Sequence, residues 1–236
     1  MCIAVLHNIP TGCRTIDKIL EGGIPDRRIS LVYGEAETGK TTLAMQCAAN
    51  CARRNHKTLF VDCDNAFSVR RFSQIASKDF KNIGKLVILM KPKDFTEQTI
   101  VIDRLTDYIN KSFKLVVIDT LTSLYRTEIA EYPRKTFELN RELNRQMACL
   151  AQIAKTKRIA VLTTSQVRSA FNGALISIEP VATRVLRFWA DTIIALKPTE
   201  NVQVIRAVLE KNSKKTQSST FHLKIEETGI HEYLTP

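Results

Sequence analysis

The 236-residue sequence predicts an α/β fold, in which a mostly parallel central sheet is flanked by helices and continues into a C-terminal antiparallel β extension. Short runs rich in Val, Ile, Leu and Thr alternate with segments whose apolar residues are spaced three and four apart. Strands that are apolar throughout and alternate with helices are typical of a parallel sheet covered on both faces. After Lys197 the apolar residues recur at every second position, which indicates antiparallel strands with one exposed face.

Each element is predicted from its own segment. The strands are predicted at ISLVYG, TLFVDCD, LVILM, FKLVVIDT, IAVLTTS and TIIALKP, and the helices at residues 41–54, 95–111 and 134–157. The segment from Asn201 to Leu234 predicts one or two hairpins. Because no long linker or repeat interrupts the chain, residues 1–236 are expected to form one domain, with a lead-in over about 1–28 and the β extension over about 198–236.

Composition narrows the class of protein. No run of about 18 apolar residues is present, so no membrane span is predicted, and the N-terminus lacks the pattern of a signal peptide. Six cysteines without a CxxC pair and four scattered histidines favour buried, reduced thiols over a metal site. Reduced thiols predict an intracellular, cytoplasmic location. The net charge of +11 fits either a polyanionic partner or a solvated basic surface, and charge alone does not separate the two.

A glycine-containing loop, GEAETGKT, lies between the first predicted strand and the helix that follows it. It fits the phosphate-binding pattern G-x-x-x-x-G-K-[ST], and the flanking strand and helix make a chance match in a turn the weaker explanation. Its glycines let backbone N–H groups face a phosphate, and the start of the helix adds a positive end. Lys40 would contact the β and γ phosphates, and the Thr41 hydroxyl would ligate Mg²⁺. ATP and Mg²⁺ are therefore the predicted cofactors, bound by Gly34, Glu35, Ala36, Glu37, Thr38, Gly39, Lys40, Thr41 and Thr42.

Carboxylates follow two further predicted strands. Asp119 ends LVVID, where an acid can hold the Mg²⁺ shell, although many strands end in Asp for other reasons. Asp62 and Asp64 follow LFV, and a parallel sheet brings both to the same edge as the phosphate loop. Asp64 is predicted to orient and deprotonate a water, and the alternative is that it only caps a turn.

Taken together, these segments resemble RecA-type recombinases, and most closely the archaeal RadB group. The resemblance rests on TGCRTIDKILEGGIPDRRISLVYGEAETGKTTLAMQCA, LFVDCDNAFSVRRF, LVVIDTLTSLYR and NRELNRQMACLAQIAKTKRIAVLTTSQV, and it runs from about residue 11 to 230. It implies a RecA-like P-loop ATPase core. Because only some 30 residues precede the phosphate loop, we expect no N-terminal helical DNA-binding domain.

The resemblance implies roles for single residues. Asp64 falls where the family has its catalytic glutamate, and the shorter acid implies slow or absent hydrolysis. Arg71 falls where a guanidinium packs on the adenine. Gln166 matches the glutamine that senses the γ-phosphate and relays to DNA, with a plain polar residue at a strand end as the alternative. The arginine usual in the segment Lys211–Lys215 is missing, which again implies weak hydrolysis.

Two DNA-binding loops are expected by analogy, near Tyr125–Lys135 and Arg168–Arg184. The cations placed beside phosphates are Arg126, Arg134, Lys135, Arg168, Arg184 and Arg187. Phe171 stacks on a base or anchors its loop, and the sequence does not separate these roles. The second loop is short and lacks a double glycine, so strand exchange is doubtful while binding to single-stranded DNA is expected.

The function implied is that of an ATP-binding protein of homologous recombination and DNA repair. It would bind single-stranded DNA, assist a main recombinase of the RadA type, hydrolyse ATP weakly in a DNA-dependent manner, and associate with copies of itself. One alternative is a mediator switched by ATP without hydrolysis. Another is a KaiC-like signalling ATPase or autokinase, against which TTSQV and the basic segment after it are the opposing features.

Overall fold

The computed structural model describes residues 8–172, 175–212 and 218–233, with the backbone alone for 168–172 and 175–180. Its strands are β1 Ile29–Gly34, β2 Lys57–Asp62, β3 Val87–Met90, β4 Phe113–Asp119, β5 Ala160–Ser165, β6 Val167–Asn172, β7 Leu175–Pro180, β8 Thr192–Pro198, β9 Val204–Asn212, β10 Ser219–Glu226 and β11 Gly229–Glu232. Its α-helices are α1 Arg14–Ile19, α2 Lys40–Arg53, α3 Val69–Ala76, α4 Phe80–Ile83, α5 Phe95–Asp103, α6 Leu105–Tyr108, α7 Ser123–Glu131, α8 Thr136–Lys157 and α9 Thr183–Trp189.

The central sheet has the strand order β11-β10-β9-β8-β1-β5-β4-β2-β3, and β6 and β7 form a separate hairpin. From β8 to β3 the neighbouring strands pair in parallel, whereas β8, β9, β10 and β11 pair antiparallel. The predicted fold class, including the C-terminal antiparallel extension, is therefore confirmed. The single domain predicted for residues 1–236 stays a prediction.

The core lies on both faces of the sheet, as expected for strands that are apolar throughout. On one face α2 packs with small side chains such as Ala44, Cys47 and Ala48 against Val32 and Phe60. On the other face α5 and α8 cover a second cluster of apolar residues that includes Leu31, Val116 and Leu150. Burying each large apolar side chain stabilises the fold by about 1.5–3 kcal/mol. This two-sided packing fixes the carboxyl ends of β1, β2, β4 and β5 along one edge.

The five described cysteines are unpaired, and four of them, Cys13, Cys47, Cys51 and Cys63, are buried. Burial raises the pKa of Cys47 and Cys63 well above the ordinary thiol value. Within the described residues no group of three or more metal-ligating side chains was found. In the same ranges, no helix combines the length and the apolar composition needed to cross a membrane.

Three segments differ from the sequence prediction. The helix predicted at 95–111 is interrupted at Arg104, so that α5 and α6 are separate. The first expected DNA loop is mostly helical: SLYRTEIAE contains no Gly or Pro and forms α7, and Pro133 follows its end. The second expected loop, over 168–184, is largely the β6–β7 hairpin and the start of α9. These two predictions were wrong about structure because local strand and helix preferences exceed those of a loop.

Candidate functional site

The loop between β1 and α2 has the backbone shape that its glycines predict. Gly39 has a φ of +83°, in the left-handed region that side chains disfavour. A Cβ added at Gly34 would lie 2.3 Å from the carbonyl oxygen of Leu196 on the neighbouring β8, so no larger residue fits there. The Thr38 hydroxyl donates to the Glu35 carbonyl at 2.8 Å and closes the turn. The loop therefore leads directly into the N-terminus of α2, where an anion is favoured.

Lys40, at the first position of α2, places a cation inside this loop. Its side chain is 8% exposed, and its Nζ donates to the Glu35 carbonyl at 2.5 Å. Burial lowers the pKa of Lys40, while the nearby charges of Asp119, Asp64 and Glu35 oppose that shift. The three carboxylates offset only part of the cost of burying this ammonium, so a phosphate beside it would stabilise it further.

Asp119, at the end of β4, is fully buried with one oxygen unused. Thr164 on β5 donates to Oδ1, whereas Oδ2 has no hydrogen bond of normal geometry within the described residues. Burial raises the pKa of Asp119, and the hydroxyls of Thr164 and Thr41 and the charge of Lys40 partly oppose the shift. An orphaned buried carboxylate oxygen beside the Thr41 hydroxyl fits the oxygen ligands that Mg²⁺ prefers. These residues therefore suit the predicted metal.

A chain of hydrogen bonds runs along the outer side of the site. Ser123 donates from Oγ to Asp64 Oδ1 at 2.6 Å, and Gln166 donates from Nε2 to Asp64 Oδ2 at 3.2 Å. Arg126 in turn donates from Nη1 to Gln166 Oε1. Both carboxylate oxygens of Asp64 thus have a donor, so the acid is held in place by α7 and by the end of β5.

The role of turn cap belongs to Asp62 instead of Asp64. Asp62 is fully buried and accepts from the backbone N–H groups of Ala66 and Phe67 at 2.9 and 3.1 Å. Lys91 forms an ion pair with it at 3.3 Å. With Asp62 satisfied by the turn, Asp64 is left to face the site.

A cavity of about 430 Å³ brings six of the predicted site residues together. It is lined by Ala36, Glu37, Lys40, Thr41, Asp64, Thr120, Gln166 and Val167. The cavity thus joins the phosphate loop to Asp64 and Gln166, as the parallel order of β1, β2, β4 and β5 predicts. The cavity combines the cation of Lys40 with the carboxylate of Asp64, which is held by two hydrogen bonds.

Arg71, on α3, is bound to the C-terminal extension. Its Nη1 and Nη2 donate to the carbonyl oxygens of Glu227 and Glu226 at 2.9 and 2.6 Å, at the β10–β11 turn. A second, smaller cavity of about 200 Å³ lies between the phosphate loop and Ile225 of β10. The structure places Arg71 on this side of the loop, with its guanidinium engaged in the turn.

The predicted DNA cations fall into separate places. Arg126 and Arg184 line one groove of about 630 Å³ between α7, the start of α8 and α9. Arg134 and Lys135 are exposed in the short turn between α7 and α8, where Lys135 lies 4.6 Å from the ring centre of Tyr132. The side chains of Arg168 and Phe171 lie outside the described part, as do the last three residues of Lys211–Lys215. The Lys211 ammonium caps the end of α9 by donating to the Ala190 carbonyl at 2.6 Å.

Arg187 differs from these cations because its guanidinium is paired with a carboxylate. It forms a 2.7 Å ion pair with Glu210 on β9 and lies 6.0 Å from the ring centre of Tyr33. Burial and Glu210 raise the pKa of Tyr33, whose hydroxyl donates to Glu210 at 2.6 Å. A DNA phosphate would have to compete with Glu210 for this guanidinium.

Sequence reasoning missed three residues of the site. Ser123 and Thr164 position Asp64 and Asp119, and Glu210 neutralises Arg187. Thr164 is the second residue of the singled-out TTSQV segment and could have been found by its place at the same sheet edge. Ser123 and Glu210 carried no such signal, because their partners are distant in sequence.

Comparison with known proteins gives matches over nearly the whole chain. A model of the Rad51 family matches residues 4–233. Proteins named "DNA repair and recombination protein RadB" are similar. The one from Methanosphaera stadtmanae is 30% identical over 94% of this chain and 94% of its own, and the one from Methanothermobacter thermautotrophicus is 31% identical over 95% of each. A solved structure titled "Crystal structure of the RadB recombinase" aligns with a TM-score of 0.81 and 29% identity, covering 96% of this chain and 100% of that one.

Proposed function

The chain belongs to the Rad51 family, and from that premise we propose that it is a RadB-type protein of DNA repair and recombination that binds ATP with Mg²⁺ and contacts single-stranded DNA. The observation that carries the proposal is the shared cavity of Lys40, Thr41, Asp64 and Gln166, next to the groove with Arg126 and Arg184. A nucleotide cavity beside a cationic groove is the arrangement that an ATP-responsive DNA-binding protein needs.

The nucleotide would be held chiefly through its phosphates. The backbone of Gly34–Thr42 and the N-terminus of α2 would surround them, with Lys40 as the cation. Thr41 and Asp119 would hold Mg²⁺, which when bound neutralises phosphate charge. The side of the loop near Ile225 and Arg71 offers the smaller cavity for the base, and Arg71 would then exchange at least one backbone carbonyl for the adenine face.

Weak hydrolysis is the proposed activity, since Asp64 is held on both oxygens. Each oxygen of Asp64 keeps a second lone pair that water can reach, but the bonds from Ser123 and Gln166 fix the carboxylate and compete with water for it. A carboxylate that two donors already engage is a weaker general base than a free one. The same observation favours a second candidate function, in which ATP acts as a switch and is not turned over.

DNA contact is proposed at the groove lined by Arg126 and Arg184. Its Thr and Asn side chains can bond a sugar–phosphate backbone. Neither guanidinium has an ion-pair partner within the described residues. We propose that the protein acts inside the cell, beside a main recombinase of the RadA type that carries out strand exchange.

Loss of the phosphate-loop cation tests the nucleotide site. Lys40→Ala should weaken binding of a fluorescent ATP analogue by about 2–5 kcal/mol, because a buried ion contact is lost. Arg54→Ala, which changes a cation at the far end of the same helix, is the matched control and should bind like wild type. Unchanged affinity in the Lys40 variant would overturn the phosphate-site assignment.

Turnover with and without single-stranded DNA separates the two candidate functions. A weak DNA-dependent ATPase should release phosphate faster when saturated with DNA. A protein that only switches with ATP should bind ATP and DNA but release phosphate no faster than the Lys40 variant.

A further inference from the structure

Two side chains of helix α7 bond to residues that line the nucleotide cavity. Ser123 and Arg126 are three residues apart and therefore lie on one face of the helix. Ser123 bonds Asp64, and Arg126 bonds Gln166. The two residues to which a role near the γ-phosphate is assigned are thus both held by this helix.

Arg126 determines which end of the Gln166 amide faces the cavity. A guanidinium can only donate, so its partner must be Oε1, and the ionised carboxylate of Asp64 can only accept, so its partner must be Nε2. The bond from Arg126 therefore keeps the NH₂ group turned toward Asp64 at 3.2 Å, on the cavity side. A phosphate oxygen needs a donor, and this orientation supplies one.

The same guanidinium also lines the groove of about 630 Å³ on the other side of α7. Arg126 is exposed, and of its guanidinium nitrogens only Nη1 has a hydrogen-bond partner within the described residues. The other donors of the planar fork remain open to an anion in the groove. Arg184, which lines the same groove from α9, has no bond to a residue of the nucleotide cavity in the described part of the chain.

We propose that Arg126 is a positioning residue that couples the two sites, holding a DNA phosphate with one side of its guanidinium and the Gln166 amide with the other. The inference rests on the proposed function. An anion that fixes the guanidinium would stabilise the amide orientation that binds the γ-phosphate. Linkage then requires ATP to strengthen DNA binding by the same factor. A lysine at this position keeps the charge but has its three N–H donors on one nitrogen, so it lacks the two separated edges with which a guanidinium holds one partner on each side.

The test compares Arg126→Lys with the matched control Arg184→Lys, both of which keep the net charge. Anisotropy of a fluorescein-labelled oligothymidylate is measured at one salt concentration with Mg²⁺ and either a non-hydrolysable ATP analogue or ADP. Wild type should bind DNA about fivefold or more tightly with the ATP analogue than with ADP. Arg126→Lys should reduce this ratio to within about twofold of one, whereas Arg184→Lys should keep it.

Four outcomes would overturn the inference. The first is that Arg126→Lys keeps the wild-type ratio of DNA affinity with the ATP analogue to DNA affinity with ADP, and the second is that both variants lose this ratio equally. The third is that wild type binds DNA equally well with either nucleotide, and the fourth is that wild type binds neither nucleotide nor DNA. Only the last also removes the proposed function, because the first three leave ATP and DNA binding in place.

Hydrogen exchange of the α7 amides, measured without DNA, is a second and independent experiment. The ATP analogue should slow exchange over 123–131 in wild type but not in Arg126→Lys, and no change in wild type contradicts the coupling.

Discussion

Asp119 shows how one buried carboxylate links stability to ligand binding. Burial raises the pKa of Asp119 above its ordinary value, and Oδ2 is without a partner in the part of the chain that the structure describes. The folded state therefore binds a proton at Asp119 more tightly than the unfolded chain does. The free energy of unfolding consequently falls as pH rises from the ordinary carboxyl pKa through the raised one. The buried charge of Asp119, which Thr164, Thr41 and Lys40 offset only in part, is a cost in the protein without metal.

Asp119→Asn should remove that cost and the metal site together. At neutral pH, without nucleotide, we expect the variant to have a higher Tm than wild type, because a buried charge is removed. Asn can keep the bond from Thr164, and Lys40 keeps Asp64 and Glu35 as neighbouring charges. Added Mg²⁺-ATP should raise the Tm of wild type but hardly that of the variant. A thermal melt in both conditions checks this, and equal ligand stabilisation would contradict the role of Asp119.

Gln166 is predicted to convert ATP binding into DNA affinity. Gln166→Ala removes the amide between Asp64 and Arg126 without touching the phosphate loop. We expect ATP affinity to stay within a few-fold of wild type, while a coupling of roughly 1–3 kcal/mol between ATP and DNA disappears. DNA anisotropy with ATP and with ADP at matched salt measures it. If the difference survives in the variant, Gln166 is only a polar residue at a strand end.

At the scale of elements, α2 is joined to the C-terminal extension by one buried side chain. Gln46 accepts from the N–H of Ile230 at 2.7 Å and donates to its carbonyl at 3.1 Å. Ile230 lies in β11, the outermost strand on this side of the described sheet, so Gln46 satisfies a backbone edge that has no further strand. The helix that begins at the phosphate loop is thereby fixed to the hairpin beside Gly39.

Gln46→Ala should therefore destabilise the fold. It leaves a buried N–H and a buried C=O unpaired, at about 1–3 kcal/mol for each group. Gln152→Ala, an exposed change on α8, is the matched control and should stay within about 0.5 kcal/mol of wild type. Urea unfolding of the two variants measures the difference. A Gln46 variant as stable as wild type would mean that water replaces the two hydrogen bonds between Gln46 and Ile230.

At the scale of the whole molecule, the effect of the +11 net charge on DNA binding depends on where the cations lie. Arg184 is in the groove at the carboxyl edge of the sheet, whereas Lys155 is exposed near the end of α8, toward the opposite edge. The slope of log DNA affinity against log salt concentration depends only on the cations that contact phosphates.

Arg184→Gln should weaken DNA binding with either nucleotide and reduce the slope of log affinity against log salt by about 0.7, the value for one single-strand phosphate contact. Lys155→Gln removes the same charge and should leave the slope unchanged. Titration at several salt concentrations decides between them. Equal slopes for the two variants would assign the salt dependence to overall charge instead of to the groove.

Several features could be predicted from the sequence by itself. Apolar runs that alternate with helical spacing determined the parallel sheet, because a strand buried on both faces needs apolar residues at every position. Gly34 and Gly39 predicted the backbone shape of the loop between β1 and α2, since that shape depends on neighbouring residues. The binding of phosphate by this loop stays a prediction. The resemblance to the RecA-type recombinases, drawn from motifs, was confirmed over nearly the full chain.

Other features were decided only by the tertiary structure. That Asp62 caps a turn while Asp64 faces the cavity depends on Lys91 and Ser123, which are far away in sequence. That Arg187 is neutralised while Arg126 reaches Gln166 depends on which strands and helices meet. A pattern along the chain reports local preferences, whereas the partner of a charge is set by elements that packing brings together. The roles of these side chains therefore became visible only when the sheet and α7 were in place.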